Sequence, residues 1–296
     1  MSNALGTFVE IASAGLTAQI ELFGAELFSL TDAVGREYMT DADPTWWTGH
    51  APILFPIVGG LAGGRFRHEG QEYPLSRHGF ARGRAFDVVD RTGDSVMLRL
   101  VDNANSRAAY PFAFVLDMRF TVAGMVLSME ATVSNPGDVP LPFSFGYHPA
   151  FAWPLPDGGA KDEHRIVFAE EEPQPIRRLD SAGLVARDEP TPIRDRVLAL
   201  DAALFEDDAL IWDRLSSRDL SYRSPAGAWL DISFPALPML GIWQKPGAHF
   251  ICIEPWAGIA DPAGFTGTLS EKPGIMLLQP GAERRFRMDV AVHPAD

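Results

Sequence analysis

Apolar and polar residues alternate with a period of two along much of this chain. From Met125 to Ser134 the residues Met125, Leu127, Met129, Ala131 and Val133 are apolar, while Ser128, Glu130, Thr132 and Ser134 are polar. Successive side chains of a strand point to opposite faces, so the pattern predicts a strand with one wet face. Near the C-terminus Phe286, Met288, Val290 and Val292 alternate with Arg285, Arg287 and Asp289 in the same way. Shorter alternating or apolar runs lie at Phe8–Ile11, Ala18–Leu22, Val96–Val101, Phe112–Val122, Leu230–Phe234 and His249–Glu254.

Turn signals separate these runs, among them Asn135-Pro136-Gly137, Pro156-Asp157-Gly158-Gly159 and Pro280-Gly281. With 27 Gly and 24 Pro the chain has little room for long helices. Only Asn103–Tyr110 and Asp195–Phe205 read as short helical segments. The expectation is an all-β chain, a single large β-sandwich domain spanning 1–296 with a few short helices. The excursion Glu170–Pro192, rich in Glu, Pro and Arg, reads as a functional, lid-like loop within it.

Composition narrows the possible partners. The net charge is −14 and the basic residues do not cluster, which argues against nucleic acid and anionic membrane surfaces. There is no run of eighteen apolar residues and no secretory leader pattern, so a cytoplasmic, soluble protein is expected. The single cysteine, Cys252, lies in the apolar run Phe250-Ile251-Cys252-Ile253 and reads as a small core residue. No Cys/His spacing suggests a metal, and Gly59–Gly64 lacks the ending of a phosphate-cradling loop.

Three segments carry candidate chemistry. In Phe250–Glu254 the residues Phe250, Cys252 and Glu254 share one face and Ile251 and Ile253 the other. That implies a strand buried on both sides, ending at Pro255. A carboxylate there has either partners or a raised pKa. Ser144, Gly146 and His148 share a face, with Gly146 allowing close backbone approach and Pro149 ending the pairing. If Ser76–Arg82 is a strand, His78, Phe80 and Arg82 point the same way. An imidazole and a guanidinium would then face a ligand's oxygen atoms. Each segment also has a purely structural explanation: a paired carboxylate, a core histidine, a basic edge strand. Two imidazoles and a carboxylate beside aromatics suit acid/base chemistry on a sugar. Trp153, Trp243 and Trp256 are the candidate stacking platform. One of Glu206, Asp207 and Asp208 is a candidate acceptor for sugar hydroxyls. Trp46-Trp47 followed by His50 reads as a packed loop.

Together these segments resemble the aldose 1-epimerase (mutarotase) superfamily, in the bacterial branch typified by the lactose-operon X protein. The resemblance rests on Ala51–Gly59 leading to His78-Gly79-Phe80-Ala81-Arg82, on Gly146–Phe151, on Asp207–Ile211, and on Ile251–Trp256 followed by Gly258 and Asp261. It runs in order from about residue 8 to 293. It implies a sugar cleft on one sheet of a large β-sandwich and no metal or organic cofactor. By the resemblance Glu254 matches the general base, His148 the general acid, His78 a second imidazole on the sugar, and Asp208 a hydroxyl-binding carboxylate. Arg82 and Trp256 are further expected sugar contacts. One position departs: Gly60 stands where relatives often carry a basic residue, so that contact is missing or falls to Arg82 or Arg65.

The leading expectation is interconversion of the α and β anomers of an aldose. The rivals are epimerisation of a hexose 6-phosphate, helped by Arg65, Arg67, Arg77 and Arg82, and a non-catalytic carbohydrate-binding protein. A further rival is a glycosidase using Glu254 and an Asp of the 206–208 cluster.

Overall fold

The computed structural model describes residues 8–295. Two large antiparallel sheets dominate it. The first has nine strands, in the order Val197–Ala199, Arg165–Phe168, Asp219–Arg223, Trp229–Ser233, Glu283–His293, Val126–Ser134, Val115–Ala123, Ser95–Val101 and Asp87–Arg91. The second runs Val185–Glu189, Ile176–Leu179, Leu210–Trp212, Met239–Trp243, Phe250–Ala257, Phe145–Tyr147 and Ile53–Leu54. Its eighth strand, Ala150–Ala152, also pairs with Phe250–Ala257. A three-stranded sheet of Phe8–Ala12, Leu16–Glu21 and Glu26–Asp32 packs beside Ser95–Val101 and Val115–Ala123.

The period-two pattern explains this layering. Leu127, Met129, Ala131 and Val133 are buried, as are Phe286, Met288, Val290 and Val292 in the paired strand. They meet Leu240, Ile242, Ile251, Ile253 and Phe145 of the second sheet in one continuous apolar core. Burying each such side chain stabilises the fold by about 1.5–3 kcal/mol. The Tyr147 hydroxyl donates across the core to the carbonyl oxygen of Met129 at 2.9 Å, tying sheet to sheet.

Several sequence expectations need correction. The segment Asn103–Tyr110 does form a helix, Ala104–Ala109, capped by the Asn103 side chain. Asp195–Phe205 does not. Asp195 and Arg196 have φ of 48° and 64°, Val197–Ala199 joins the edge of the nine-stranded sheet, and only Ala202–Phe205 forms a 3-10 turn. Glu170–Pro192 is not a loose lid: Ile176–Leu179 and Val185–Glu189 pair as a hairpin extending the eight-stranded sheet. Nor does the buried strand stop at Pro255. It continues to Ala257, because Met239 and Leu240 pair with Trp256 and Pro255 on one side and Phe145 and Gly146 with Ala257 and Trp256 on the other. Ile253 donates to the carbonyl oxygen of Pro149, and Pro255, two residues on, turns its missing N–H toward the same side, where His148–Pro149 interrupts the partner strands.

Candidate active site

All eight residues of Phe250–Ala257 are buried, as expected for a strand covered on both faces. Its inner residues join the main core, whereas Phe250, Cys252 and Trp256 belong to two smaller apolar clusters on the outer face. Glu254 sits between those clusters. Opposite this strand, Gly146 pairs with Trp256 and Ala150 with Cys252, so the register brings His148 across from Glu254. Their side chains meet, His148 Nε2 to Glu254 Oε2, at 3.1 Å.

A cleft of about 500 Å³ opens above this pair. Trp47 stands 5.1 Å from His148, ring to ring, with Trp243 at 6.1 Å on another side. Trp256 lies flat along the floor. A Cβ at Gly146 would come within 2.5 Å of its indole, and one at Gly241 within 2.6 Å, so both neighbouring strands must offer glycine beneath the ring. Trp153 is absent from the cleft. It is buried elsewhere, its Nε1 donating to Lys161 and the Lys161 ammonium lying over its ring.

The His78 segment is not a strand. Phe80 and Ala81 both donate to Phe55 O, Ala81–Gly83 forms a 3-10 turn, and His78 itself adopts φ 67°. Phe80 consequently turns to the core while His78 and Arg82 reach the cleft. The backbone N–H of Gly59 donates to His78 Nδ1 at 3.1 Å. In a neutral imidazole the other nitrogen then carries the hydrogen, so Nε2 is a donor. The His78 and His148 rings are 6.0 Å apart and nearly perpendicular.

Electrostatics follow from burial without full charge pairing. Desolvation raises the Glu254 carboxyl well above its ordinary 4.5; Arg77 opposes that shift and Asp208 adds to it. Desolvation also drives the His148 imidazole down to about 3, with Arg82 and Arg77 working the same way. His78 is held well below its ordinary value by burial first, then by His148, Arg77 and Arg82. The buried site therefore favours a net-neutral His148–Glu254 pair that holds one proton.

Asp208 is on the cleft wall, also with positive φ (67°), and its carboxylate is 4.0 Å from Arg77. Asp207 points away and pairs with Arg187 at 3.0 Å. Arg65 and Arg67 share Glu72 on a separate hairpin and line a different pocket, so Arg65 does not replace a basic side chain at Gly60. A Cβ on Gly60 would lie 3.0 Å from the carbonyl oxygen of Gly183 in the hairpin turn. The cleft's cations are Arg77, Arg82 and Lys245. Trp47, expected only to pack, joins the cleft, and Arg77, expected only to help hold a phosphate, stands beside Asp208. The adjacent Trp pair before His50 was the one available signal for the former.

Among the described residues, His148, Cys252 and Glu254 form the only group of three potential metal donors, their atoms lying within 4.8 Å of one another. Burial lifts the Cys252 thiol well above its ordinary value, and Cys252 packs with Ala150, Ala248 and Phe250. A thiol kept protonated is a poor ligand, and packing accounts for its place. No helix among the described residues is long and apolar enough to cross a membrane.

Comparison with known proteins bears on this geometry. The aldose 1-epimerase family model matches residues 7–288. Protein LacX of Lactococcus lactis subsp. lactis, in its plasmid form, is 32% identical over 295 residues, covering 96% of this chain and 99% of its own. A galactose mutarotase related enzyme from Lactobacillus acidophilus superposes with a TM-score of 0.91 at 31% identity, covering 97% of this chain and 98% of that one. A galactose mutarotase-like protein from Lactobacillus casei gives 0.90 at 29%, covering 97% and 100%. The chain belongs to the aldose 1-epimerase family, and its β-sandwich is of the galactose mutarotase-like kind.

Proposed function

We propose that this member of the aldose 1-epimerase family interconverts the α and β anomers of an aldose, with Glu254 as base and His148 as acid. The observation that carries the reading is the buried 3.1 Å contact between these two groups on the floor of an aromatic-walled cleft. Ring opening removes the proton from the anomeric hydroxyl to Glu254 and delivers a proton from His148 Nε2 to the ring oxygen. The C1–O5 bond breaks as the C1 carbonyl forms. Rotation about C1–C2 exposes the other carbonyl face, and the reverse transfers close the ring.

This cycle needs one proton shared between the two groups, the number the net-neutral pair holds. Burial places that proton on Glu254 with His148 neutral, which is the state that closes the ring; opening starts once the proton has crossed the 3.1 Å contact to His148, leaving Glu254 ionised. Arg77 favours the ionised carboxylate at the start. His78 donates from Nε2 to a sugar oxygen, Arg82 and Asp208 bind hydroxyls, and Trp256 supports an apolar face of the ring. The continuous core, together with a family match running almost end to end, supports reading the chain as one domain.

A glycosidase reading loses ground because the nearest partner of Glu254 is an imidazole rather than a second carboxylate. A hexose 6-phosphate remains a second reading, favoured by Arg77, Arg82 and Lys245 on one cleft.

Polarimetry on freshly dissolved α-D-glucose and α-D-galactose tests the proposal, with glucose 6-phosphate alongside. Faster decay of rotation with the wild type, absent in Glu254→Gln, supports it. Acceleration confined to the phosphorylated sugar selects the second reading. No acceleration with any of them removes these sugars as substrates and moves the reading to another aldose or to a binding protein on this fold.

A further inference from the structure

Asp208 lies between the 3-10 turn Ala202–Phe205 and the strand Leu210–Trp212, in a segment with little regular structure. Four carbonyl oxygens around it nevertheless converge on the buried guanidinium of Arg178, which is 7% exposed. Nη1 donates to Asp207 O at 3.4 Å, Asp208 O at 3.1 Å and Ala209 O at 3.2 Å, and Nη2 donates to Leu204 O at 3.3 Å. The remaining donor, Nε, is held by Glu189 at 2.9 Å. Alternation explains the approach from beneath. Arg177 pairs opposite Ile211, which faces the cleft, so Arg178 points to the other side of the sheet.

A planar fork of five N–H groups suits this task, and charged donors make the stronger hydrogen bonds. The segment also needs holding. Asp208 occupies the left-handed region, which a non-glycine residue keeps only where its surroundings over-determine it. One of its oxygens, Oδ1, accepts from the Ala209 N–H at 2.9 Å, leaving Oδ2 as the atom 4.0 Å from Arg77 in the cleft.

We propose that Arg178 is a positioning residue that gathers residues 204–209 and thereby aims the Asp208 carboxylate into the sugar cleft. It governs sugar affinity and takes no part in proton transfer. The inference rests on reading Asp208 as an acceptor for sugar hydroxyls.

The test uses Arg178→Lys and the milder Glu189→Gln, with two independent readouts. Amide hydrogen exchange across 204–209 is expected to speed up by about tenfold or more in Arg178→Lys while Phe250–Ala257 stays protected. The dissociation constant for D-galactose or D-glucose, followed by tryptophan fluorescence, is expected to rise by about tenfold, with kcat and its pH profile within about threefold. Adding Asp208→Asn to Arg178→Lys then costs no further affinity, because both changes remove one interaction. Glu189→Gln shifts both readouts the same way by less. Unchanged exchange in both variants overturns the proposal, and so does faster exchange with unchanged sugar affinity. Multiplying losses in the double variant overturn it too, since they assign Arg178 an effect independent of Asp208. If the wild type binds neither sugar, the mutarotase reading falls separately, and the exchange pattern alone decides whether Arg178 holds the segment.

Discussion

On the outer face of the nine-stranded sheet, Arg99 grips Asp117 at 2.6 and 2.7 Å, and Arg287 meets Asp289 at 2.9 Å, all partly open to water. On the outer face of the eight-stranded sheet, His148 meets Glu254 at 3.1 Å in a dry setting. The inner faces of the two sheets are alike and share one core. The outer faces differ because loops cover one and not the other. Where water remains, opposite charges pair fully and each pair contributes roughly 0–1 kcal/mol. Where water is excluded, a carboxylate and its imidazole partner lose charge and become poised to exchange a proton. An ion pair on the wet face is a surface feature; a similar distance on the covered face makes a candidate acid/base pair.

The largest expected effect tests the covered face directly. Glu254→Gln and His148→Gln should each lower the mutarotation rate by roughly 10²–10⁴-fold while circular dichroism shows an intact fold. Wild-type rates in either folded variant would remove the pair from the mechanism.

Next is the floor. A Cβ at Gly241 would lie 2.6 Å from the Trp256 ring, so Gly241→Ala should push the indole toward the cleft. The KM for sugar should rise by roughly tenfold, about 1.4 kcal/mol, with a smaller change in kcat. An unchanged KM would mean that the sugar does not use this ring.

The third prediction concerns pH. In the unfolded chain the carboxyl ionises near 4.5 and the imidazole near 6.5. Between those values folded and unfolded states both hold one proton on the pair, so it adds no slope to stability. Above 6.5 the unfolded chain has released both protons, so stability falls as pH rises for as long as burial keeps one on Glu254, by at most about 1.4 kcal/mol per pH unit. Glu254→Gln lacks this loss. Its Tm should climb relative to wild type as pH rises above about 4.5, where the unfolded carboxyl has lost its proton and the folded one keeps it, and parallel Tm curves would contradict the raised carboxyl pKa.

The smallest effect belongs to the wet face. Arg99→Ala should cost under about 1 kcal/mol in denaturant unfolding and leave the mutarotation rate unchanged. A large loss of activity there would break the contrast between the two faces.

Period-two alternation and turn residues are enough to anticipate a β-sandwich and five adjacent strands of the nine-stranded sheet, from Trp229–Ser233 across to Ser95–Val101, since each local pattern commits a strand to one buried face; of the eight-stranded sheet they mark chiefly Phe145–Tyr147 and Phe250–Ala257. They also placed Glu254 on a doubly buried strand and set His148 on the same face as Gly146. Local pattern failed where long-range pairing overrode it. Val197–Ala199 reads as helix but completes a sheet edge, and His78–Arg82 reads as strand but is folded back by hydrogen bonds to Phe55. Trp153, Trp243 and Trp256 look equivalent in sequence, yet glycines on two neighbouring strands hold only Trp256 flat on the floor, and Trp153 packs elsewhere.

Neighbours one to four positions away encode the central strands of the nine-stranded sheet, the burial of Glu254 and the residue types available for proton transfer, so these are legible in the residues alone. That His148 faces Glu254, that Trp47 and Arg77 join them, and that Asp208 rather than Asp207 reaches the cleft emerge only from the folded arrangement. Those outcomes depend on strand register and on contacts such as Arg178 with the 204–209 carbonyls, and no local pattern encodes the register between distant segments.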